Sequence, residues 1–341
     1  MTQPIFGFDS FLDGLAITEF DQSAYIEHYN NQTLVIPSSL DGVPVIYIAP
    51  RVFKQLSSFF RVVRLPVSLR HIGVGAFASC LSIETVFFGD EVVEIDKYAF
   101  AGCRSLSNVN LGSSVLTIGR KAFQDCAALE DVVLPQKLRR VGVSAFAASG
   151  LRRLDMTETK ITAIERNLFS GCRTLEEVKL PENLREIREN AFLECVNLRE
   201  IRIPQGVEQI GHGAFLECAS LSVLDLPDGL EEIGEVAFAG CVGLKFAYVP
   251  ASVKRIGKGA FAGIGGLLEI ARDNPAYQSY ADMLLTKSGD TLLSYPDGQL
   301  YRDIPEGVKT ITSYAFYKLR KRPPVKYPES LVYIEPDAYP N

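Results

Sequence analysis

Seven cysteines are the residues of this chain that most invite chemistry, as disulfides, metal ligands or nucleophiles, and their spacing argues against all three. Cys80, Cys103, Cys126, Cys172, Cys195, Cys218 and Cys241 each follow a phenylalanine by three residues. In a stack of coils about 4.8 Å apart they form a single inward file with parallel Cα–Cβ vectors, whereas a disulfide needs two Cβ atoms that face each other. They are expected to be buried small hydrophobes, and Ser149, Ile264 and Leu319 fill the same slot in other repeats. The histidines, His28, His71 and His212, fall in unrelated positions and share no row, so neither a metal trio nor a catalytic imidazole is expected. The best acid–base pair is Glu177 with Glu200, placed on adjacent strands; Lys179 and Arg202 beside them favour the ionised forms and remove the general acid a hydrolase needs. The many G-x-x-A-F segments are repeat turns with glycine for backbone geometry, not phosphate-cradling loops. There is no G-x-S-x-G elbow and no thiolate beside a base. The expectation is no enzyme, with no catalytic residue, no metal and no cofactor.

The elements that hold these residues come from a repeat. Leu198 to Cys218 reduces to L-x-x-I-x-I-P-x-x-V-x-x-I-G-x-x-A-F-x-x-C, and Leu221 to Cys241 obeys the same pattern. Phe77, Phe100, Phe123, Phe146, Phe169, Phe192, Phe215, Phe238 and Phe261 are each 23 residues apart. A period of that size with a short L-x-x-L-x-L signature signals a leucine-rich repeat solenoid. The predicted fold is a β-rich solenoid, a right-handed superhelix of about 12 turns with a parallel concave β-sheet. Within a turn, L-x-x-V-x-L is a short strand closed by proline or glycine. The second half returns on the other side through a tight turn.

Taken in order, residues 1–33 cap the array with a β-hairpin around Asp13-Gly14 and a polar loop from Asp21 to Gln32. The repeat array spans 34–267, with an added turn at Asp41-Gly42 and, between Ser149 and Ile161, two spacing slips that cancel and bulge the coil. Residues 268–302 are an inserted β-hairpin whose halves, Met283 to Thr286 and Thr291 to Tyr295, flank a Lys-Ser-Gly-Asp turn. It is a plug that extends the sheet or, alternatively, a ligand-binding tongue. The final repeats occupy 303–341, with Tyr339 in the phenylalanine slot. A net charge of -6 and a pI of about 5.3 argue against a nucleic-acid or polybasic membrane surface. The one basic run, Lys318 to Arg322, is short. No apolar stretch reaches the roughly 18 to 20 residues of a membrane span, and MTQPIFGFDS lacks the pattern of a secretory signal.

What remains is surface. The outward positions of each strand line the concave face, the usual binding surface of a solenoid. From Arg153 and Asp155 through Lys179 to Arg202 the charges alternate in sign, as a self-satisfying ladder of cross-strand pairs would require. Phe87 near one end, and Phe246 with Tyr248 near the other, are aromatics on a strand face. Aromatic and arginine side chains are the usual anchors of protein interfaces; alternatively Phe246 and Tyr248 pack beneath the inserted hairpin. Phe87, Arg153, Asp155, Lys179, Arg202, Phe246 and Tyr248 are the candidate binding residues.

The A-F-x-x-C signature at this spacing, as in Ala191-Phe192-Leu193-Glu194-Cys195, resembles the BspA-like, or treponemal-type, leucine-rich repeat family. So do the opening ITEF…LVIPSSLDGVPV and the break NPAYQSY…LLTKSGDTLLSYPDG. Ala281-Asp282 departs from the family's usual Asp-Gly, so that bend is expected to differ. The resemblance implies bacterial or protist surface proteins that bind other proteins, including host matrix and clotting proteins. It implies an adhesin-like protein or glycoprotein binder, with no nucleic-acid partner and no membrane insertion, monomeric or weakly self-associating. A structural or self-assembly module is the alternative. Family members usually carry a secretion signal; without one in this chain, a cytoplasmic location stands as the alternative to the cell surface.

Overall fold

The computed structural model describes residues 5–296, 301–319 and 324–339, so Met1 to Pro4, Asp297-Gly298 and the Arg320 to Arg322 part of the basic run lie outside the described residues. The chain is a β-solenoid of about 12 turns with a period of about 23 residues. It forms two compact units, Met1–Ile161 and Thr162–Asn341. The repeat Leu198 to Cys218 in the second unit shows why each coil forms. Leu198, Ile201, Ile203, Val207, Ile210, Ala214, Phe215 and Cys218 are all buried. Glu200 and Arg202 flank Ile201 on the opposite face, so a three-residue strand with period-two alternation results. Pro204 then ends it.

Stacked coils pair these strands in parallel. In the first unit the ladder runs in register from Thr33–Val35 through Val62–Arg64, Thr85–Phe87 and Asn108–Asn110 to Asp131–Val133. In the second it runs from Glu177–Lys179 through Glu200–Arg202, Val223–Asp225 and Phe246–Val249 to Leu267–Ile270. The return half of each coil, expected only as a turn, makes its own parallel ladder of two-residue strands such as Gln209–Ile210 on Glu232–Ile233. Between the ladders the phenylalanines stack face to face. Phe77 and Phe100 lie 5.1 Å apart at 1°, and Phe215 and Phe238 lie 5.2 Å apart at 4°. The phenylalanine N–H also bonds the next coil, as Phe215 does to the Ala237 carbonyl at 2.7 Å.

Two backbone features make the turn this tight. Residues two before and two after the phenylalanine are left-handed, as in Gly213 (φ 57°) and Glu217 (φ 64°). The glycine four before it is different. Gly234 has no left-handed φ, yet a Cβ there would sit 2.4 Å from the His212 nitrogen and 2.5 Å from the Gly211 carbonyl carbon. This glycine is required for close approach of one coil to the next, not for backbone geometry as its recurrence in the sequence suggests.

At the N-terminal end, β1 (Phe6–Phe11) and β2 (Gly14–Phe20) form a hairpin, but its two-residue turn is Leu12-Asp13 and not the expected Asp13-Gly14, because Gly14 already pairs with Phe11. The expected loop from Asp21 to Gln32 is instead a helix, α1 (Gln22–Tyr29). Asp21 caps it, its carboxylate accepting from the Ala24 N–H at 3.0 Å, and Asn30 closes it at φ 43°. Tyr25 is its buried residue. The Tyr25 hydroxyl donates to the Thr33 carbonyl and accepts from the Val35 N–H, at 3.0 and 2.8 Å, so it occupies the open edge of the first strand. Asp41-Gly42, both left-handed at φ 50° and 82°, joins Ser39–Leu40 to Val43–Ile48 in an antiparallel pair.

In the insertion, Met283–Thr286 and Thr291–Ser294 pair antiparallel as expected, and a further strand, Tyr277–Tyr280, adds to the first of them. The bend between Tyr280 and Met283 places both Ala281 and Asp282 at positive φ, 47° and 67°. Thr291–Ser294 then pairs in parallel with Thr310–Ile311, and that with Tyr333–Ile334. Gly263 N–H donates to the Tyr295 carbonyl and Tyr295 N–H to the Ala315 carbonyl, so the insertion rejoins the stack as a coil of its own. Tyr339 stacks on Phe316 at 4.6 Å, in the expected slot. Glu335 ties the last coil down: one carboxylate oxygen accepts from Ser313 N–H and Oγ at 2.7 and 2.6 Å, and Lys258 Nζ approaches it at 2.8 Å. The Lys258 ammonium and the Ser313 donors hold the Glu335 carboxyl down to about 2.

Two outcomes follow for stability. Gly234→Ala is expected to cost about 1 to 3 kcal/mol through overpacking against backbone, read as a lower urea midpoint with unchanged slope. Because the folded Glu335 pKa lies below the ordinary carboxylate value of about 4.3, its contribution is complete above that value and is lost as pH falls toward about 2. The gap between wild type and Glu335→Gln in urea midpoint is therefore expected to stay constant from neutral pH to about pH 5 and to close below it.

Candidate functional site

The inward positions of the repeats are occupied by the buried core, and the outward side chains of the sheet are one place where this fold offers groups to a partner. In the second unit the register that pairs Leu224 with Ala247 and Ala247 with Leu268 places Val223, Phe246 and Leu267 side by side. Tyr248 stands on the same face, between Asp225 and Glu269. Val223 is 58% exposed, Phe246 45%, Tyr248 41% and Leu267 55%. Neither aromatic ring is buried beneath the inserted segment, so the four side chains form one contiguous exposed apolar patch. A strand turns alternate residues outward whatever their polarity, so these apolar groups face water where a charged pair would serve the fold equally well. Sequence reading found Phe246 and Tyr248 but missed Leu267, whose strand Leu267–Ile270 continues the same alternation in its L-L-E-I sequence.

In the first unit Phe87 is exposed on the strand Thr85–Phe87, and the Arg64 guanidinium from the neighbouring strand lies 4.4 Å over its ring. Arg153 and Asp155 also face outward, on the strand Arg153–Asp155.

The alternation of sign does not continue along the whole face: the register sets Asp131 opposite Arg153 but sets like charges together at Glu177 and Glu200. Glu177 stands directly opposite Glu200 in the register. Lys179 lies 4.0 Å from Glu177 on its own strand, and among the described residues neither Glu200 nor Arg202 has an ion-pair partner. Parallel in-register stacking aligns like positions of successive repeats, so a cross-strand pair needs opposite signs 23 residues apart, which Glu177/Glu200 and Lys179/Arg202 lack. Away from this face, residues of opposite sign 23 apart do pair: Arg61–Glu84 at 3.1 Å, Glu165–Arg188 at 2.7 Å and Glu231–Lys254 at 2.7 Å. Exposed as they are, such pairs each contribute roughly 0 to 1 kcal/mol.

All seven cysteines are buried and unbridged. Their thiols point along the stack: Cys103 Sγ donates to the Phe77 carbonyl at 3.1 Å and Cys218 Sγ to Phe192 at 3.2 Å. Burial pushes the Cys126 thiol up to about 12 and raises Cys195 and Cys218 as well. Neutral thiols are poor nucleophiles and poor metal ligands. His28 packs edge-on against Tyr29 and His71 Nδ1 lies 3.5 Å from Glu94, so these two occupy unrelated settings. Among the described residues no group of His, Cys, Asp and Glu is arranged to hold a metal, and no helix is long and apolar enough to cross a membrane.

Comparison with known proteins accords with this geometry. Residues 18–152, 144–267 and 301–341 match the family model described as the BspA type leucine-rich repeat region. No curated protein matches the sequence. Among solved structures, a leucine-rich repeat protein of Bacteroides ovatus superposes with a TM-score of 0.68 at 19% identity, over 98% of this chain and 90% of that one. A leucine-rich cell surface protein of Faecalibacterium prausnitzii gives 0.55 at 23% identity, over 93% and 85%. The pneumococcal vaccine antigen PcpA gives 0.52 at 17%, over 98% and 93%. At these identities the likeness is one of fold.

The burial of the thiols has a direct readout. A colorimetric thiol reagent is expected to find no reactive group in the native protein and seven after denaturation in guanidinium; rapid native labelling would contradict the packing.

Proposed function

The chain belongs to the BspA-type leucine-rich repeat family, and on that footing we propose that it is a non-catalytic, adhesin-like scaffold that recognises a protein or glycoprotein through its outward sheet face. The observation that carries this reading is the patch of Val223, Phe246, Tyr248 and Leu267, exposed on a rigid ladder. Aromatic anchors ringed by charge are the usual centre of a protein interface, and Arg202, Asp225 and Glu269 supply the polar surround in the same register. Lys179, Arg153, Asp155 and Phe87 are further outward candidates.

The mechanism is display. Backbone hydrogen bonds in the ladder fix the four side chains before a partner arrives, so association loses little ordering entropy beyond that of a few rotamers. A family and a fold that are typically non-catalytic support the same reading. So does the setting of Glu177 and Glu200, which stand on an open face with Lys179 beside them rather than in an enclosing cleft.

Surface plasmon resonance against immobilised extracellular-matrix and clotting proteins tests it. The wild type is expected to bind at least one, and the Phe246→Ala/Tyr248→Ala double variant to bind about 30-fold or more weakly, the loss of roughly 2 kcal/mol typical of an interface anchor, with unchanged thermal unfolding. Undiminished binding by the double variant would move the site off this patch. No binding by the wild type across the panel would remove the adhesin-like reading.

A further inference from the structure

We propose that the first unit carries a separate site, a shallow cleft on its sheet face that takes a short neutral saccharide. The cleft lies over the strands Thr85–Phe87, Asn108–Asn110 and Asp131–Val133, and its volume is about 360 Å³. That is within the roughly 300 to 1,000 Å³ of small-ligand sites.

Its walls combine the two things a sugar ring requires. One is an apolar plane for the C–H face of the ring. Phe87 supplies it, on the side of the cleft next to Arg64, whose guanidinium lies 4.4 Å over the ring and holds it from behind. The register places Arg64 on one side of Phe87 and Asn110 on the other, so the cleft opens on the Asn110 side. Val133, 74% exposed, stands beyond Asn110 as a second apolar surface in the same row.

The other requirement is a set of hydrogen-bonding groups not already spent on the protein. Asn108 donates to Ser107 Oγ at 3.1 Å, which orients its amide and leaves its carbonyl oxygen to the cleft. Asn110, Glu130 and Asp131 make no side-chain hydrogen bond or ion pair among the described residues, though all line the cleft. Planar amides donate and accept at once, as a sugar's vicinal hydroxyls do, and carboxylates accept charge-assisted hydrogen bonds from hydroxyls. Charge selects the class. Two carboxylates and no cation line the cleft itself, while Arg64 lies behind Phe87 and Arg153 stands across the register from Asp131; the two carboxylates disfavour sulfated, phosphorylated or uronic-acid polymers, and neutral hexoses and N-acetylhexosamines escape that repulsion.

The cleft is built from residues of the first unit only, and the apolar patch belongs to the second. Calorimetric titration of the full chain with cellohexaose, maltohexaose, mannohexaose and chitohexaose tests it, with polygalacturonate as the anionic counterpart. At least one neutral oligomer is expected to bind saturably. Phe87→Ala and Asn110→Ala are each expected to weaken that binding about tenfold or more, a loss on the scale of one stacked ring or one hydrogen bond to a buried partner. Phe246→Ala/Tyr248→Ala is expected to leave it unchanged. Asn110 is exposed and its side chain makes no internal contact of this kind, so its variant reports on the cleft even if Phe87→Ala perturbs the sheet. Absence of saturable binding by every neutral oligomer, preference for polygalacturonate, or full affinity in the Asn110→Ala protein would overturn the proposal.

Discussion

Direct superposition of each coil on the next is the constraint on which everything else in this protein depends. A lone coil of 23 residues buries too little apolar surface to offset the entropy of ordering it. It becomes stable only when its buried row lies over the same row of a neighbour. The phenylalanine column enforces that arrangement, with rings 5.0 to 5.5 Å apart and within 22° of parallel from Phe53 to Phe146 and from Phe169 to Phe261. The same spacing lets three sets of backbone groups reach the adjacent coil: the outward strand, the two-residue return strand and the left-handed turn around the phenylalanine.

This superposition explains residues that look functional and are not. The cysteines recur because the slot below each phenylalanine carbonyl is small, buried and offers an acceptor for a weak donor, as Cys103 and Cys218 use it. The recurring glycine is a contact surface, since His212 backbone lies where the Gly234 Cβ would be. Ion pairs use the same superposition. Arg61–Glu84, Glu165–Arg188 and Glu231–Lys254 each join residues of opposite sign 23 apart in sequence, whereas Glu177 and Glu200, opposed on the outward face, agree in sign.

What the stack leaves over is the outward face, and there residue choice is released from the demands of the core. Nothing in the ladder requires Phe246, Tyr248 and Leu267 to be apolar, or Asn108 and Asn110 to be amides. Their chemistry is therefore the part of the molecule most readily set by a partner. The two units carry different surfaces: an aromatic and aliphatic patch in one, an amide and carboxylate cleft beside a phenylalanine in the other.

The repeat alone determined the coil, its period, the inward rows and the outward positions, because a solenoid's long-range contacts are copies of one short-range pattern. The N-terminal hairpin, one residue off at its turn, the Asp41-Gly42 turn and Tyr339 in the phenylalanine slot were equally local, written in turn residues and spacing. Helix α1 was not legible: Tyr25 is its buried residue, so it has no apolar stripe, and it is held by a hydroxyl that bonds a strand eight and ten residues on. The third strand of the insertion, its return as a coil and the Lys258–Glu335–Ser313 tie likewise needed the tertiary structure, since each joins segments outside the period. The candidate sites divide the same way. Alternation named Phe87, Phe246 and Tyr248 as outward, but only the register across strands decided that Leu267 and Val223 complete one patch. Only that register, too, set Phe87 between Arg64 and Asn110, because which side chains become neighbours is fixed by backbone pairing and not by distance along the chain.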